Sequence, residues 1–211
     1  MYDILYRFKR IPLRLFKFKK YHVITTGKHA NEFLTSRCLE AVDLQLNFLE
    51  EIDFSQKIII FVREPRERLV SGLAQEWYDV IWPTIHYAKL DRDMDVISKS
   101  FNTFIASTLL DTVCRHDPTH VAPWLHMAHA IKSNRLNSVS VIDFKNINYL
   151  CELLEIKDRT NIYTSYVDHR SLSNKFTPSI NKMIDYYLRY EYKYYDRLIK
   201  GENANGSKNT P

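Results

Sequence analysis

One stretch constrains this chain more than any other: Lys57–Tyr78, KIIIFVREPRERLVSGLAQEWY. Lys57–Val62 contains the unbroken run Ile58, Ile59 and Ile60, the pattern of a strand buried on both faces. Pro65 suits the first turn of a helix, where its missing N–H has no intrahelical partner in any case. Beyond it Leu69, Leu73 and Trp77 recur every four residues as one apolar stripe. The spacing predicts a buried strand ending at Arg63, a sharp turn, and a helix that carries Ser71 about two turns in. Open α/β sheets bind ligands beyond the carboxyl ends of their strands. The free N–H groups of the helix start favour an anion there.

At 211 residues and 45% hydrophobic composition, the chain is long and apolar enough for one α/β domain with a real core. A net charge of +5 and a pI near 9.0 suit an anionic ligand, a nucleic acid or an anionic membrane surface alike. Only four glycines occur (Gly27, Gly72, Gly201, Gly206), so the chain holds no glycine-rich phosphate loop of the Walker or dinucleotide type. Cys38, Cys114 and Cys151 are odd in number and widely spaced, and read as core thiols of a reducing compartment. No run approaches the ~20 apolar residues of a membrane span. No apolar segment with a small-residue cleavage site opens the chain. The expectation is a cytoplasmic protein.

The pattern Arg63-x-Pro65-x-x-Arg68-Leu69-x-Ser71 resembles the 3′-phosphate-binding segment of sulfotransferases that use 3′-phosphoadenosine 5′-phosphosulfate (PAPS), closest to the carbohydrate branch. The resemblance implies a P-loop-like three-layer α/β fold, with a small, mostly parallel sheet flanked by helices. It also implies transfer of a sulfuryl group from PAPS to an acceptor hydroxyl on a carbohydrate, with Arg63 and Ser71 holding the 3′-phosphate. The chemistry agrees, because a guanidinium fork takes phosphate oxygens bidentately and a serine hydroxyl adds a short donor. Upstream, Tyr21–Thr26 reads as the first core strand, Gly27–Ala30 as a turn, and Asn31–Glu51 as a helix. That order resembles the family's 5′-phosphosulfate loop, and Lys28 matches its catalytic lysine. Gly27 replaces the family's proline, and Asn31 and Glu32 stand where it has a hydroxyl residue; Thr25 and Thr26 are alternative hydroxyls. Arg63 follows Lys28 by 35 residues, room for one crossover helix and one strand.

His120 and Pro123 match the His-x-x-Pro core of a later family segment, and Asp143 closes the predicted strand Val139–Asp143 in the family's acidic position. His120 is a candidate general base, as are Glu32, Glu40 and Glu76; no motif places any of them. Arg170 and Lys175 are loose counterparts of a basic loop that closes over the cofactor. Sulfuryl transfer requires no metal, and the His116–His120 spacing lacks the further ligands of a zinc site. Trp77, Tyr78, Trp82, His86 and Tyr87 read as core or lid packing, with an acceptor pocket as the alternative. Further helices are predicted over Asp95–Asp111, Trp124–Lys132, Ile147–Leu154 and Pro178–Lys200. Three regions result: a basic arm at residues 1–20, a sulfotransferase-like domain at 21–200, and a disordered tail at 201–211. The arm, MYDILYRFKRIPLRLFKFKK, suits weak contact with a membrane surface or packing of its Leu and Phe residues on the domain.

Other classes stay open. The Arg63–Arg68 stretch can be an ordinary strand–helix unit with a solvated basic start. The chain can be a sulfotransferase-fold protein that binds a nucleotide or partner without catalysis. It can also be a basic nucleic-acid-binding module using the arm and Arg63–Arg68, although no specific nucleic-acid motif supports that.

Overall fold

The computed structural model describes residues 13–26, 31–44, 52–110, 124–134, 138–160 and 173–204. It is an α/β protein with a five-stranded mixed sheet and seven helices among the described residues. The strands are β1 (Leu13–Lys17), β2 (Tyr21–Thr25), β3 (Glu40–Leu44), β4 (Lys57–Val62) and β5 (Val139–Asp143), in the order β3-β1-β2-β4-β5. β2, β4 and β5 run parallel; β1 is antiparallel to both β2 and β3. The helices are α1 (Asn31–Thr35), α2 (Pro65–Val80), α3 (Trp82–Tyr87), α4 (Met94–Leu110), α5 (Leu125–Asn134), α6 (Ile147–Leu153) and α7 (Pro178–Ala204).

β4 is buried from Ile58 to Val62, and its side chains divide between the two faces as strand alternation requires. Ile58, Ile60 and Val62 meet Leu125, Met127, Ala128 and Ile131 of α5 and Leu198 of α7. Ile59 and Phe61 meet Phe33 and Leu34 of α1 and Ile147, Leu150 and Cys151 of α6. Away from the sheet, the stripe Leu69, Leu73 and Trp77 of α2 packs with Phe101 and Ile105 of α4 and Ile180, Ile184 and Leu188 of α7. Trp77 contacts Trp82 edge-on at 5.8 Å and Phe101 at 5.5 Å, and Tyr78 stacks on Trp82 at 5.6 Å. Trp77 and Trp82 of the aromatic cluster thus pack as core, while Tyr87 is 90% exposed.

Four sequence expectations are corrected. The sheet is mixed, not mostly parallel, because residues assigned to the basic arm form β1 inside it. Leu13, Leu15 and Phe16 are buried, and Phe18 closes the turn to β2 through its N–H to the Tyr21 carbonyl at 2.9 Å. The helix expected over Asn31–Glu51 stops at Thr35, and Glu40–Leu44 pairs with β1 instead. The apolar spacing suited a helix, but cross-strand partners decide the outcome: Arg14 faces Asp43 at 2.7 Å and Lys17 faces Glu40 at 2.8 Å. β2 and β4 are therefore not joined by the single crossover helix that the spacing suggested. At the other end, α7 continues to Ala204, past the boundary expected for the tail.

Among the described residues, no helix is long and apolar enough to cross a membrane. Cys38 and Cys151 are free thiols whose pKa values are pushed up by burial; Cys114 lies outside the described residues.

Candidate anion-binding site

The carboxyl ends of the three parallel strands meet along one edge of the sheet. β4 ends beside β5, with Val62 opposite Asp143, and beside β2, with Ile60 opposite Ile24. Thr25 is fully buried, and its hydroxyl donates to the Phe61 carbonyl at 2.9 Å. That hydroxyl therefore ties β2 to β4. Thr26 beyond it is also buried. Gly27–Ala30, with Lys28, continue from that end of β2 and lie outside the described residues, as do His116, His120 and Arg170.

Arg63 follows β4 directly. Its side chain is only 12% exposed; the guanidinium lies 5.0 Å over the Phe144 ring, and its Nε is 3.5 Å from Glu67 Oε2. Both neighbours come from chain geometry: Phe144 follows β5, and Glu67 is one turn away on α2. Ser71 is one turn beyond Glu67 on α2, while Arg63 precedes the helix and approaches Glu67 through its side chain. The step from Glu67 to Ser71 is about 6 Å along the axis. Glu67 is exposed and Ser71 half-buried, on the side of α2 opposite the packed Leu69–Leu73–Trp77 stripe. The structure thus brings the Arg63 side chain to Glu67, with Ser71 one turn further along the same face of α2.

The start of α2 already holds an anion of the protein's own. Glu64 is its N-cap, and its Oε2 accepts the Glu67 N–H at 2.7 Å. Its Oε1 accepts the hydroxyl of Tyr192. The helix start is therefore not simply a set of open N–H groups awaiting a ligand. One turn on, α7 fastens to the end of β5 in the same way: Tyr195 donates its hydroxyl to Asp143 Oδ2, while Asp143 Oδ1 accepts the Lys145 N–H at 2.8 Å. Burial and the adjoining carboxylates push both tyrosine pKa values up, so each hydroxyl stays a donor.

Two of the three arginines in this stretch face α7. Arg66 reaches Asp185 at 2.8 Å and also donates to Asn181. Arg68 is buried, with Nη2 3.7 Å from Glu191 Oε2. Glu191 is buried too, and its Oε1 accepts the Leu125 N–H at the start of α5 at 3.0 Å. Burial pushes its carboxyl up to about 7, against the opposing pull of Arg68 and of the Leu125 and Trp124 N–H groups. The segment Arg63–Arg68 is consequently not a solvated basic patch. Arg63 is the arginine of the three that faces the edge of the sheet.

Comparison with protein-family models, with curated proteins and with solved structures found no match to this chain.

The remaining candidates are spread apart. Lys175 is exposed just before α7, and its carbonyl accepts from Asn102 Nδ2 at 3.2 Å. Lys175 stands about 20 Å along the axis of α7 from Tyr192, which meets Glu64 at the start of α2. Glu40 is on β3, paired with Lys17; Glu32 is exposed on α1; Glu76 is buried within α2. His126 and His129 pack on the Tyr194 ring at 6.2 and 5.6 Å, and burial lowers both pKa values. Among the described residues, no cluster of His, Cys, Asp and Glu could hold a metal ion. Sequence reading did not assign Glu64, Glu67, Tyr192, Tyr195 or Phe144 to the site. The signal for Glu67 was its place midway between Arg63 and Ser71. The tyrosines gave none, since α7 carries six of them between Tyr186 and Tyr195.

Proposed function

We propose that this chain is a sulfotransferase of P-loop-like three-layer architecture, moving the sulfuryl group of PAPS to an acceptor hydroxyl on a carbohydrate. The observation that carries the reading is Arg63, at the carboxyl end of a buried parallel strand, with Ser71 on the outer stripe of the helix that follows. This is the position, and the residue spacing, in which the family pattern holds a 3′-phosphate. Phe144 supports the guanidinium from one side, limiting the rotamer freedom it would lose on binding. Lys28 follows the end of the adjacent strand β2, and its role is contact with the 5′-phosphosulfate. In the transfer, the acceptor oxygen attacks sulfur in line while the bond to the bridging oxygen breaks. The charge that develops on that oxygen is met by the lysine ammonium, and a base such as His120 takes the acceptor proton.

Calorimetry with adenosine 3′,5′-bisphosphate tests the binding half. The wild type is expected to bind, and Arg63→Ala to bind about 100-fold more weakly, the loss that accompanies a bidentate charged contact. A wild type that does not bind refutes the proposal. Binding without sulfate transfer from PAPS to any of a panel of polysaccharides assigns the chain to nucleotide binding alone.

A further inference from the structure

Glu67 is an awkward residue for a simple phosphate site. The Arg63 side chain approaches it from ahead of α2 and Ser71 lies one turn beyond it on the helix, so a phosphate held by both of those side chains lies beside it. A carboxylate in that position repels the ligand unless the ligand also offers it a hydrogen. The pair it forms with Arg63 is loose: the Nε to Oε2 separation is 3.5 Å, and the Glu67 side chain is 47% exposed. Its carboxylate is therefore not locked onto the arginine. The other carboxylates of this edge have close donors: Glu64 takes the Glu67 N–H and the Tyr192 hydroxyl, and Asp143 takes the Lys145 N–H and the Tyr195 hydroxyl. Glu67 thus has room to accept from a ligand, side by side with a guanidinium that takes an anion.

A donor fork and an acceptor a few ångströms apart match a sugar that carries a phosphate and a free hydroxyl on neighbouring carbons. Building on the nucleotide reading above, we infer that Glu67 determines specificity by accepting the ribose 2′-hydroxyl next to the 3′-phosphate held by Arg63 and Ser71. A carboxylate on a ribose hydroxyl is a recurring solution in nucleotide sites, because the hydroxyl donates and an ionised carboxyl only accepts. The consequence is selection for ribonucleoside 3′-phosphates over their 2′-deoxy analogues. The analogue leaves Glu67 facing phosphate oxygens with no hydrogen between them.

The test compares adenosine 3′,5′-bisphosphate with its 2′-deoxy analogue by calorimetry, on wild type, Glu67→Ala and Glu67→Gln. The wild type is expected to bind the ribonucleotide about tenfold more tightly than the analogue, the size of one hydrogen bond to a half-exposed charged group. Glu67→Ala is expected to bind both equally. Glu67→Gln, which keeps an acceptor and loses the charge, is expected to retain part of the preference. Equal binding of the two ligands by the wild type overturns the inference, while the nucleotide reading stands. So does a Glu67→Ala variant that keeps the full preference. Tighter binding of both ligands by the same factor in Glu67→Ala shows repulsion alone, and also overturns it. If the wild type binds neither ligand, the nucleotide reading itself fails. The wild-type comparison needs no variant, so a folding defect in either substitution does not remove the test.

Discussion

Replacing Arg68 with alanine is expected to destabilise the protein by about 3–5 kcal/mol above about pH 8, where Glu191 is ionised, the cost of leaving one partner of a buried ion pair behind. The arginine lies at 1% side-chain exposure with Glu191 at 3%, so neither charge is relieved by water. Three elements converge on this pair: α2 supplies Arg68, α7 supplies Glu191, and the Leu125 N–H at the start of α5 bonds to Glu191. A urea titration should show the midpoint fall with little change in slope. The double substitution Arg68→Met with Glu191→Leu should recover most of the loss, because it removes both desolvated charges together. If Arg68→Ala unfolds no more easily than the wild type, the pair does not hold α2, α5 and α7 together.

The same pair gives stability a particular dependence on pH. Glu191 titrates near 7 in the folded protein, against 4.5 for an unperturbed glutamate. The folded state therefore binds this proton more tightly than the unfolded chain. Its contribution is fully present below pH 4.5 and is lost as pH rises towards 7, in total on the order of 3 kcal/mol. His22, His126 and His129 act in the opposite direction, since burial lowers their pKa values. The informative quantity is accordingly the wild-type curve minus that of Glu191→Gln, which should slope downward between pH 4.5 and 7. A flat difference would show that Glu191 titrates normally.

Sequence patterning resolved the parts of this fold whose periodicity is set by their own burial. β4, β5, α2, α4, α6 and α7 carry continuous apolar runs or stripes and stand within a few residues of their expected positions. Misreadings arose where a partner far along the chain decides the conformation. Glu40–Leu44 has apolar spacing compatible with a helix, and becomes a strand because β1 offers it hydrogen bonds and oppositely charged side chains. At the candidate site, Arg63 and Ser71 were legible because one short segment contains both. Tyr192 and Tyr195 were not, because their role depends on where α7 crosses the sheet, 128 residues from Glu64 and 52 from Asp143. The fates of Arg66 and Arg68 were hidden for the same reason: the acids that meet them, Asp185 and Glu191, also belong to α7.

Phe16→Ala tests the least expected element. If Leu13–Lys17 were a peripheral arm, removing one aromatic ring from it would change stability by less than about 0.5 kcal/mol, as for most surface sites. In the structure Phe16 is fully buried among Val23, Phe33, Ile59 and Phe61, on a strand with neighbours on both sides. Its removal is expected to cost about 3–5 kcal/mol, combining the lost transfer energy of the ring with the cavity left behind. Leu39→Ala is the matched control, since that side chain is 70% exposed and its truncation should be close to neutral. The substitution also reaches the candidate site. Phe16 shares a buried cluster with Ile59 and Phe61 of the strand that leads to Arg63, and β1 pairs with β2, whose end leads into the Lys28 segment. A loosened β1 should therefore weaken adenosine 3′,5′-bisphosphate binding in step with stability, whereas Leu39→Ala leaves both unchanged. Near-neutral Phe16→Ala would place residues 13–17 outside the core and remove the support that this sheet order gives to β2.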